Sequence, residues 1–434
     1  MRFLEVCCGS TPENLTQANL NRRGFCASSA GERFSIAGFP LPSEPPAMNH
    51  GSLRYNQYSM YRTPLQEALR AQAANQVLFM RSSEYRGAEM TASFSDPQGE
   101  FDALRSGCGV YDLGFRSRIS LTGGDRVRWM NGMVTNNIRD LAVGRGVYAF
   151  LLSPQGRILG DMLVFNEGEA LTVETDRSQV EKILATFQHY IIMDDVEVTN
   201  IGENWTALGV AGPKARDVLQ AAGIEVPGMQ PLQMQTVRCN CDCGCVQCAV
   251  ARGEDGQYES YEIWLAPKDI LATWQALLSA GATPVGCEAL EIQRIAAGIP
   301  LYGVDIRERD LPQETEQMRA LNFNKGCYVG QEIVERIRSR GNVHRKFTGF
   351  VLEGSADITA DAKIVSGEKE VGEVTSVALL RFPSGERKVA LGYIRREVGT
   401  PGRAVMIAGA KATVAQLPLE FVAVGQPQES LLQQ

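Results

Sequence analysis

From residue 347 to residue 414 the sequence consists of short strand-like runs separated by Gly or Pro, and this pattern restricts the possible folds more than any other feature. The runs are 347–352, 363–365, 370–377, 389–394, 404–407 and 412–414. Short, closely spaced strands with turn residues between them are typical of a small all-β sandwich or barrel. We therefore predict a separate β unit over 347–424, followed by a tail at 425–434.

The region before this β unit mixes helical and strand-like patterns without a regular βαβ alternation. A helix is predicted over 63–74, with Thr63 and Gln66 at capping-box spacing. The segment 154–156 contains Pro and Gly between two strand-like runs, and it predicts a hairpin turn. Together these patterns indicate α+β architecture with antiparallel sheets over 60–346, arranged as two α+β units.

The length of 434 residues also requires more than one domain, because single hydrophobic cores stop growing near ~250–300 residues. Residues 1–59 show no sustained periodicity, and we expect a disordered extension or an over-long start there. Glu5, Glu13 and Glu32 weaken a faint transit-peptide pattern in this stretch. We expect a cytoplasmic protein, with the mitochondrial matrix as the alternative.

Composition excludes several functional classes. The net charge of −7 disfavours a nucleic-acid partner, and no apolar run approaches the ~18 residues that span a bilayer. The three histidines, His50, His189 and His344, are too few for a His-rich metal site and leave little room for a Ser-His-Asp triad. We expect a monomer without a metal site.

One short segment combines a cysteine with a neighbouring cation: Lys325-Gly326-Cys327-Tyr328-Val329-Gly330-Gln331-Glu332. The flanking glycines allow the backbone to approach a ligand closely. The ammonium of Lys325 can favour the reactive thiolate of Cys327, unless Glu332 neutralises that ammonium. The alternative is that Cys327 is a small buried apolar residue.

Two carboxylates stand in strand-like settings. Asp161 begins a run of apolar residues, where it either caps backbone amides or projects into a pocket as an acceptor or general base. Glu262 lies among apolar residues, so it needs an arginine partner or a ligand with N–H donors such as a pterin, unless it faces solvent.

Five cysteines cluster before residue 250: Cys239, Cys241, Cys243, Cys245 and Cys248. Thiolates bind zinc, copper(I) or iron–sulfur clusters, but this spacing differs from the paired C-x2–4-C knuckles of zinc sites. A hairpin turn at Gly244 would bring Cys241 and Cys245 face to face. The interpretation we prefer is a half-buried strand in which Cys replaces Val.

The segment 325–332 resembles the K-G-C-Y-x-G-Q-E signature of YgfZ-type proteins. The stretches 294–300 and 311–314 are similar to that family's R-x-x-x-G-I-P and L-P-x-E elements. This resemblance implies a tetrahydrofolate-binding protein that supports the assembly or repair of iron–sulfur enzymes. Iron–sulfur client proteins or assembly factors would then be its partners.

Residues 65–422 also resemble the wider superfamily of the glycine-cleavage T-protein, an aminomethyltransferase. The similar segments, in chain order, are those at 108–113, 135–137, 156–161, 253–262 and 372–376. This resemblance implies a folate-binding fold of two α+β units plus a small C-terminal β-barrel. It places Asp161 on a catalytic aspartate, Glu262 on a pterin-contacting glutamate and Tyr148 on a folate-pocket tyrosine.

The chain departs from the T-protein at two positions. Leu290 stands at the arginine of the G-L-G-A-R-D run, and the asparagine of the V-V-N-A segment is missing near Glu174. These differences favour the iron–sulfur branch, whereas the retained Asp161 keeps aminomethyl transfer as the alternative.

The combined expectation is a central cavity that holds tetrahydrofolate. Asp161 and Glu262 would orient the folate. Lys325 and Cys327 would line the cavity, where Cys327 would act on a one-carbon unit or handle sulfur or iron. Tyr148 and Arg294 complete the set of expected folate contacts.

Overall fold

The computed structural model describes residues 60–419, apart from 75–80, 242–243, 255, 257, 342, 355–356 and 383–384. Within this part of the chain the fold is α+β, with three sheets and a closed barrel, as the sequence predicts. The expectations for 1–59 and 425–434 fall outside the described residues. None of the helices seen in the described ranges combines the length and apolarity that crossing a bilayer requires.

A small three-stranded sheet opens the described part of the chain. Its strands are β1 (Tyr61–Arg62), β2 (Ser82–Tyr85) and β3 (Ala88–Thr91), in the order β1-β3-β2. Helix α1 (Pro64–Ala74) follows β1 and confirms the predicted helix. The hydroxyl of Thr63 accepts the N–H of Gln66 at 3.1 Å, which satisfies one of the free donors of the first turn.

A five-stranded antiparallel sheet forms one half of the α+β region, in the order β6-β7-β8-β5-β9. Its strands are β5 (Arg116–Thr122), β6 (Gly146–Leu152), β7 (Ile158–Asn166), β8 (Leu171–Asp176) and β9 (Glu197–Asn200). Helices α3 (Arg126–Met133) and α4 (Arg177–Tyr190) pack on it. On α4, Val180, Ile183 and Phe187 recur at helical spacing and lie in the core.

A six-stranded sheet forms the other half, in the order β11-β12-β13-β10-β4-β14. Its strands are β4 (Gly109–Asp112), β10 (Thr206–Ala211), β11 (Met234–Cys241), β12 (Gly244–Arg252), β13 (Ser260–Leu265) and β14 (Thr283–Val285). Helices α5 (Ala215–Ala221) and α6 (Ile270–Ser279) cover one face, where Trp274 is buried. Helix α2 (Pro97–Ser106) precedes β4.

The last strands close into a six-stranded barrel in the order β15-β18-β17-β16-β19-β20. They are β15 (Arg345–Leu352), β16 (Lys363–Ser366), β17 (Lys369–Phe382), β18 (Gly385–Arg395), β19 (Ala404–Ile407) and β20 (Ala410–Ala415). Alternate residues such as Phe350 and Ile364 point inward and are fully buried. Helices α7 (Cys287–Ala297) and α8 (Gln331–Arg340) lie between the sheets and the barrel in the chain order.

Both predicted hairpins are formed, but the strand register of the second differs from the predicted one. Between β6 and β7, Gly156 has φ +73°, so the turn predicted at 154–156 is confirmed. Between β11 and β12, Cys241 lies opposite Gly244, and Asn240 lies opposite Cys245. The predicted pairing of Cys241 with Cys245 is therefore wrong, because the strand register places Asn240 and not Cys241 opposite Cys245.

The cysteine cluster is otherwise outside the described side chains. Nothing is described for Cys243, or for the side chains of Cys239, Cys241 and Cys245. Cys248 is buried at the six-stranded sheet, in agreement with the strand interpretation for that residue. Among the side chains that the structure does describe, no three His, Cys, Asp or Glu residues are grouped to hold a metal ion.

A buried carboxylate joins β4 to the start of α1. The two oxygens of Asp112 accept the Thr63 hydroxyl and, at 2.8 Å, the N–H of Gly114. Burial raises the pKa of Asp112 to about 6, although both hydrogen bonds act in the opposite direction. The folded protein therefore retains a proton that the unfolded chain releases at a lower pH.

The substitution Asp112→Asn should remove a pH dependence of stability. The ordinary pKa of aspartate is about 4, so the stability associated with protonated Asp112 is complete below pH ~4 and is lost as the pH rises through ~6. In urea denaturation, the wild-type free energy of unfolding should fall relative to Asp112→Asn by up to about 3 kcal/mol between pH 4 and pH 7. Asp217→Asn, at an exposed position of α5, serves as the control. The prediction would be contradicted if the difference in free energy of unfolding between wild type and Asp112→Asn did not change with pH.

Candidate functional site

A cavity of about 910 Å³ is lined by residues from both large sheets and from the barrel. Its walls include Leu163 and Phe165 of β7, Ala251 of β12, Ser260 and Glu262 of β13, Phe347 of β15, and Glu254, Met318 and Arg319 from loops. This volume lies within the range of small-molecule sites, ~300–1,000 Å³. Apolar side chains form the larger share of the described wall, and charged side chains of both signs interrupt it. Small-molecule sites combine an apolar lining with placed polar groups in this way.

Strand alternation turns Glu262 toward the cavity. Tyr261 and Ile263 lie on the opposite face of β13, in the core beneath α5 and α6. Glu262 and Trp264 therefore share the other face, where the Trp264 Nε1–H lies 3.3 Å from one Glu262 oxygen. The expectation of a carboxylate that needs a partner is met by Arg116, which forms an ion pair with the other oxygen.

Arg116 belongs to a buried network that connects the two large sheets. On β5, Arg116 and Arg118 point to one side, and both lie against Glu174 of β8, with Arg118 Nη2 at 2.6 Å and Arg116 Nη2 at 3.5 Å. Burial lowers the pKa of Arg116, but Glu262 and Glu174 raise it above its ordinary value. Two arginines thus face two glutamates in this group, and Glu262 is held in place from behind.

Asp161, at the fourth position of β7, is held by the side chains of Tyr148 and Gln179. The Tyr148 hydroxyl donates to Oδ2 at 2.7 Å, and Gln179 Nε2 donates to Oδ1 at 2.8 Å. Gln179 Oε1 also accepts the backbone N–H of Asp161 at 3.0 Å. Burial, followed by the charge of Asp161, raises the pKa of Tyr148 well above its ordinary value. The hydroxyl therefore remains a donor, and Asp161 is fixed as an acceptor.

Arg319 lies between this group and the cavity. Its guanidinium carbon is 4.4 Å from the centroid of the Tyr148 ring, and the side chain also lines the cavity. Glu262 and Arg319 are among the described residues that line the cavity, whereas Tyr148 and Asp161 are not. The structure thus brings Glu262 to the cavity directly and Asp161 only behind Arg319.

Lys325 is buried away from the cavity wall. Its ammonium donates to the backbone carbonyls of Asn131, Val134 and Asn136 at the end of α3, the last at 2.8 Å. Burial, with the nearby charge of Arg139, lowers the pKa of Lys325 to about 7. The hydrogen bonds to three carbonyl groups oppose that shift, because they favour the charged ammonium, which alone has three N–H donors. Lys325 therefore supplies hydrogen-bond donors to free carbonyl groups at the C-terminal end of α3.

Comparison with known proteins identifies the family. The model described as the GCVT N-terminal domain matches residues 63–325, which is more than half of the 434-residue chain. The chain belongs to the GCVT family. Two relatives, named aminomethyltransferase in Rubrobacter xylanophilus and in a Picosynechococcus strain, are 29% and 27% identical to it. These alignments cover 86% and 80% of this chain, and 96% and 94% of the relatives.

A solved GCVT-family structure shows the same fold. The crystal structure of glycine cleavage system aminomethyltransferase T from Bartonella henselae superposes with a TM-score of 0.72 at 22% identity. The match covers 83% of this chain and 98% of the other. The T-protein-like architecture of two α+β units and a barrel, implied by the sequence resemblance, is therefore confirmed as a fold.

The 325–332 segment has mainly structural contacts in this GCVT-family chain. Tyr328 is buried, and Gly330, at φ +81°, packs on the β6–β7 turn so tightly that a Cβ there would lie 2.5 Å from the Ser153 carbonyl oxygen. Cys327, by contrast, is exposed, so the alternative of a buried apolar cysteine is wrong. Glu332 pairs with Arg336 at 2.6 Å rather than with Lys325.

Arg294 has a different position from the one expected. Its N–H groups donate to Glu291, to the carbonyl of Ile299, to Asp305 at 2.6 Å and to the Ser376 hydroxyl at 2.9 Å. These bonds use all five donors of the guanidinium. The expected folate contact is therefore corrected: Arg294 ties α7 to strand β17 of the barrel.

Sequence reasoning missed Arg116, Arg319 and Gln179. A signal existed for Arg116, because Arg116 and Arg118 are two residues apart in a strand and so share a face. Two arginines on one face of a strand require acidic partners. Gln179 and Arg319 lie on a helix and in a loop, respectively, with no pattern that distinguishes them.

The substitution Lys325→Met should destabilise the fold. Removing the ammonium leaves three inward-facing carbonyl groups without their donor, which should lower the free energy of unfolding by about 3 kcal/mol or more in urea denaturation. Lys268→Met, at an exposed position, should change it little. If Lys325→Met kept wild-type stability and instead lost only ligand affinity, the structural role would be refuted.

Proposed function

We propose that this protein binds tetrahydrofolate in the cavity and acts as a folate-dependent one-carbon transferase. The observation that carries the proposal is Glu262, a carboxylate fixed by Arg116 at the wall of a largely apolar cavity. A pterin ring presents adjacent N–H donors, and a carboxylate accepts such donors with both oxygens. Membership of the GCVT family supports the same ligand.

The chain's own residues would divide the work. Glu262 would bind and orient the pterin edge, and its partner Arg116 would hold its carboxylate in position. Asp161, held by Tyr148 and Gln179, would accept a hydrogen bond or a proton near the folate nitrogens. Apolar side chains such as Phe165 would exclude water. Tetrahydrofolate, when bound, supplies the nitrogen atoms that carry the one-carbon unit.

Calorimetry with tetrahydrofolate tests this proposal. Glu262→Gln should weaken binding at least about tenfold, because a charge-assisted pair contributes roughly 1.5–3 kcal/mol. Asp161→Asn keeps the shape of the side chain and should weaken binding less. Glu197→Gln, at an exposed position of β9, should leave the affinity unchanged. Equal affinity of Glu262→Gln and wild type would rule out this mode of binding.

Aminomethyl transfer is the first candidate use of the folate. The relatives named aminomethyltransferase support it, as does the hydrogen-bonded setting of Asp161. An assay with an aminomethyl-lipoyl carrier protein and tetrahydrofolate, read by ammonia release, measures this activity. The expected result is turnover that Asp161→Asn reduces. Absence of turnover with saturating folate and carrier would eliminate this candidate.

Support of iron–sulfur enzymes, as in YgfZ-type proteins, is the second candidate. Two observations favour it. Leu290, at the position of a T-protein arginine, is packed in the core between α7 and the barrel, so this position supplies no cation. The thiol of Cys327 is exposed at the end of a loop whose other contacts are structural.

The substitution Cys327→Ser separates the two uses. In a strain that lacks its own factor of this kind, Cys327→Ser should fail to restore iron–sulfur enzyme activity, while folate affinity and stability stay at wild-type values because the side chain is exposed. Full restoration of iron–sulfur enzyme activity by Cys327→Ser would show that the function does not require the thiol. Ammonia release unaffected by Cys327→Ser would be the signature of the aminomethyl route.

A further inference from the structure

Arg319 lines the cavity but has no place in the roles described so far. It lies in the short turn Met318–Ala320, and the backbone of that turn is fixed. The Thr135 hydroxyl donates to the Ala320 carbonyl at 2.6 Å, and the Asn136 amide donates to the Arg319 carbonyl at 2.8 Å. The guanidinium is thus presented to the cavity from a rigid support.

The side chain has one weak charged partner, and its Nε also donates to the side-chain oxygen of Gln317 at 3.1 Å. Among the described residues, the carboxylate in ion-pair contact with Arg319 is that of Glu254, which also lines the cavity. The accessible fractions of the two side chains are 38% and 33%. An ion pair this accessible stabilises a protein by ~0–1 kcal/mol, so it is exchanged at little cost.

Another carboxylate of the cavity wall, Glu262, makes a useful contrast. Glu262 pairs with Arg116, of which only 12% is accessible, and that pair is part of the buried network. Separating a buried pair is costly, ~3–5 kcal/mol. Glu262 is therefore permanently positioned, whereas Glu254 and Arg319 can part when another group competes for one of them.

The position of Arg319 determines what it would contact. Its guanidinium covers the Tyr148 ring, and the Tyr148 hydroxyl holds Asp161. A ligand that approaches Asp161 from the cavity meets Arg319 first. Arginine has only donors, so it recognises an oxygen acceptor and not the N–H groups that suit Asp161.

We propose that Arg319 is a specificity-determining residue, held by Glu254 in the free protein and transferred to an oxygen acceptor of the folate ligand on binding. The acceptor is a carbonyl or carboxylate oxygen. Two parts of a folate provide one: the carbonyl of a formyl-level one-carbon unit, and the carboxylates of the glutamate moiety. This inference rests on the proposed binding of folate in the cavity.

The two members of the pair should have opposite effects on affinity. Arg319→Gln removes the cation that the ligand oxygen needs, and it should weaken binding about tenfold. Glu254→Gln releases Arg319 before the ligand arrives, and it should strengthen binding by roughly threefold. Arg319→Lys retains the charge and should restore part of the loss. A purely structural pair would weaken binding in both variants.

Calorimetry with four ligands locates the oxygen: tetrahydrofolate, its 5-formyl and 5-methyl derivatives, and tetrahydropteroate, which lacks glutamate. Arg319 contacts the one-carbon unit if Arg319→Gln weakens and Glu254→Gln strengthens binding of the 5-formyl derivative but neither changes binding of the 5-methyl derivative. Opposite effects seen with all three glutamate-bearing ligands but not with tetrahydropteroate assign it to the carboxylates. Either result supports the proposal.

A control is the pair Arg381 and Glu386 of the barrel, with accessible fractions of 45% and 50%, neither of which lines the cavity. Arg381→Gln and Glu386→Gln should leave every affinity unchanged. The proposal is overturned if Arg319→Gln and Glu254→Gln change affinity in the same direction or not at all while Glu262→Gln still weakens binding. Failure of the wild type to bind any of the four ligands would instead refute the proposed function, and this inference with it.

Discussion

The buried network of Arg116, Arg118, Glu174 and Glu262 is the interaction on which the site depends. It crosses from the five-stranded sheet to the six-stranded sheet, and Arg118 also lies over the Trp264 ring at 4.1 Å from its centroid. Removing one member of such a network leaves a buried charge without its partner, which costs ~3–5 kcal/mol. The same contacts that join the sheets therefore fix the carboxylate that faces the cavity.

Several segments that resemble family signatures make contacts that connect helices, turns and strands of the scaffold. Arg294 and Ser376, from two such segments, meet at Asp305 and connect α7 with the barrel. Lys325 closes the end of α3, and Gly330 rests on the β6–β7 turn. A signature can thus persist for packing reasons in most of its positions. Within the 325–332 segment, Cys327 is an exposed position that packing leaves unexplained.

The cavity contains two kinds of charged group. Glu262 is held by buried partners and is ready to bind, whereas Arg319 and Glu254 form an accessible pair that a ligand can separate. A rigid group provides orientation, and an exchangeable group provides selection between ligands that differ by one oxygen atom. Both proposed uses of folate fit this arrangement, because they differ in the partner protein and in the role of Cys327 rather than in the cavity.

Local patterns in the sequence were sufficient for much of the fold. The run of short strands predicted the barrel, the residues 154–156 predicted a hairpin turn, and Thr63 marked the start of α1. These features depend on backbone preferences and on spacing over a few residues, which any stretch of sequence displays directly. The resemblance then supplied the order of the units and drew attention to Asp161 and Glu262.

Only the tertiary structure decided what these residues contact. Glu262 and its partner Arg116 are 146 positions apart, and Lys325 reaches a carbonyl 191 positions away. Contacts over such separations leave no periodic trace in a single sequence, so the burial of Lys325, the full engagement of Arg294 and the place of Arg319 could not be foreseen. The sequence determined which groups are available and which elements carry them. Their partners follow from how the two sheets and the barrel pack, because charge pairing and burial are set by that packing.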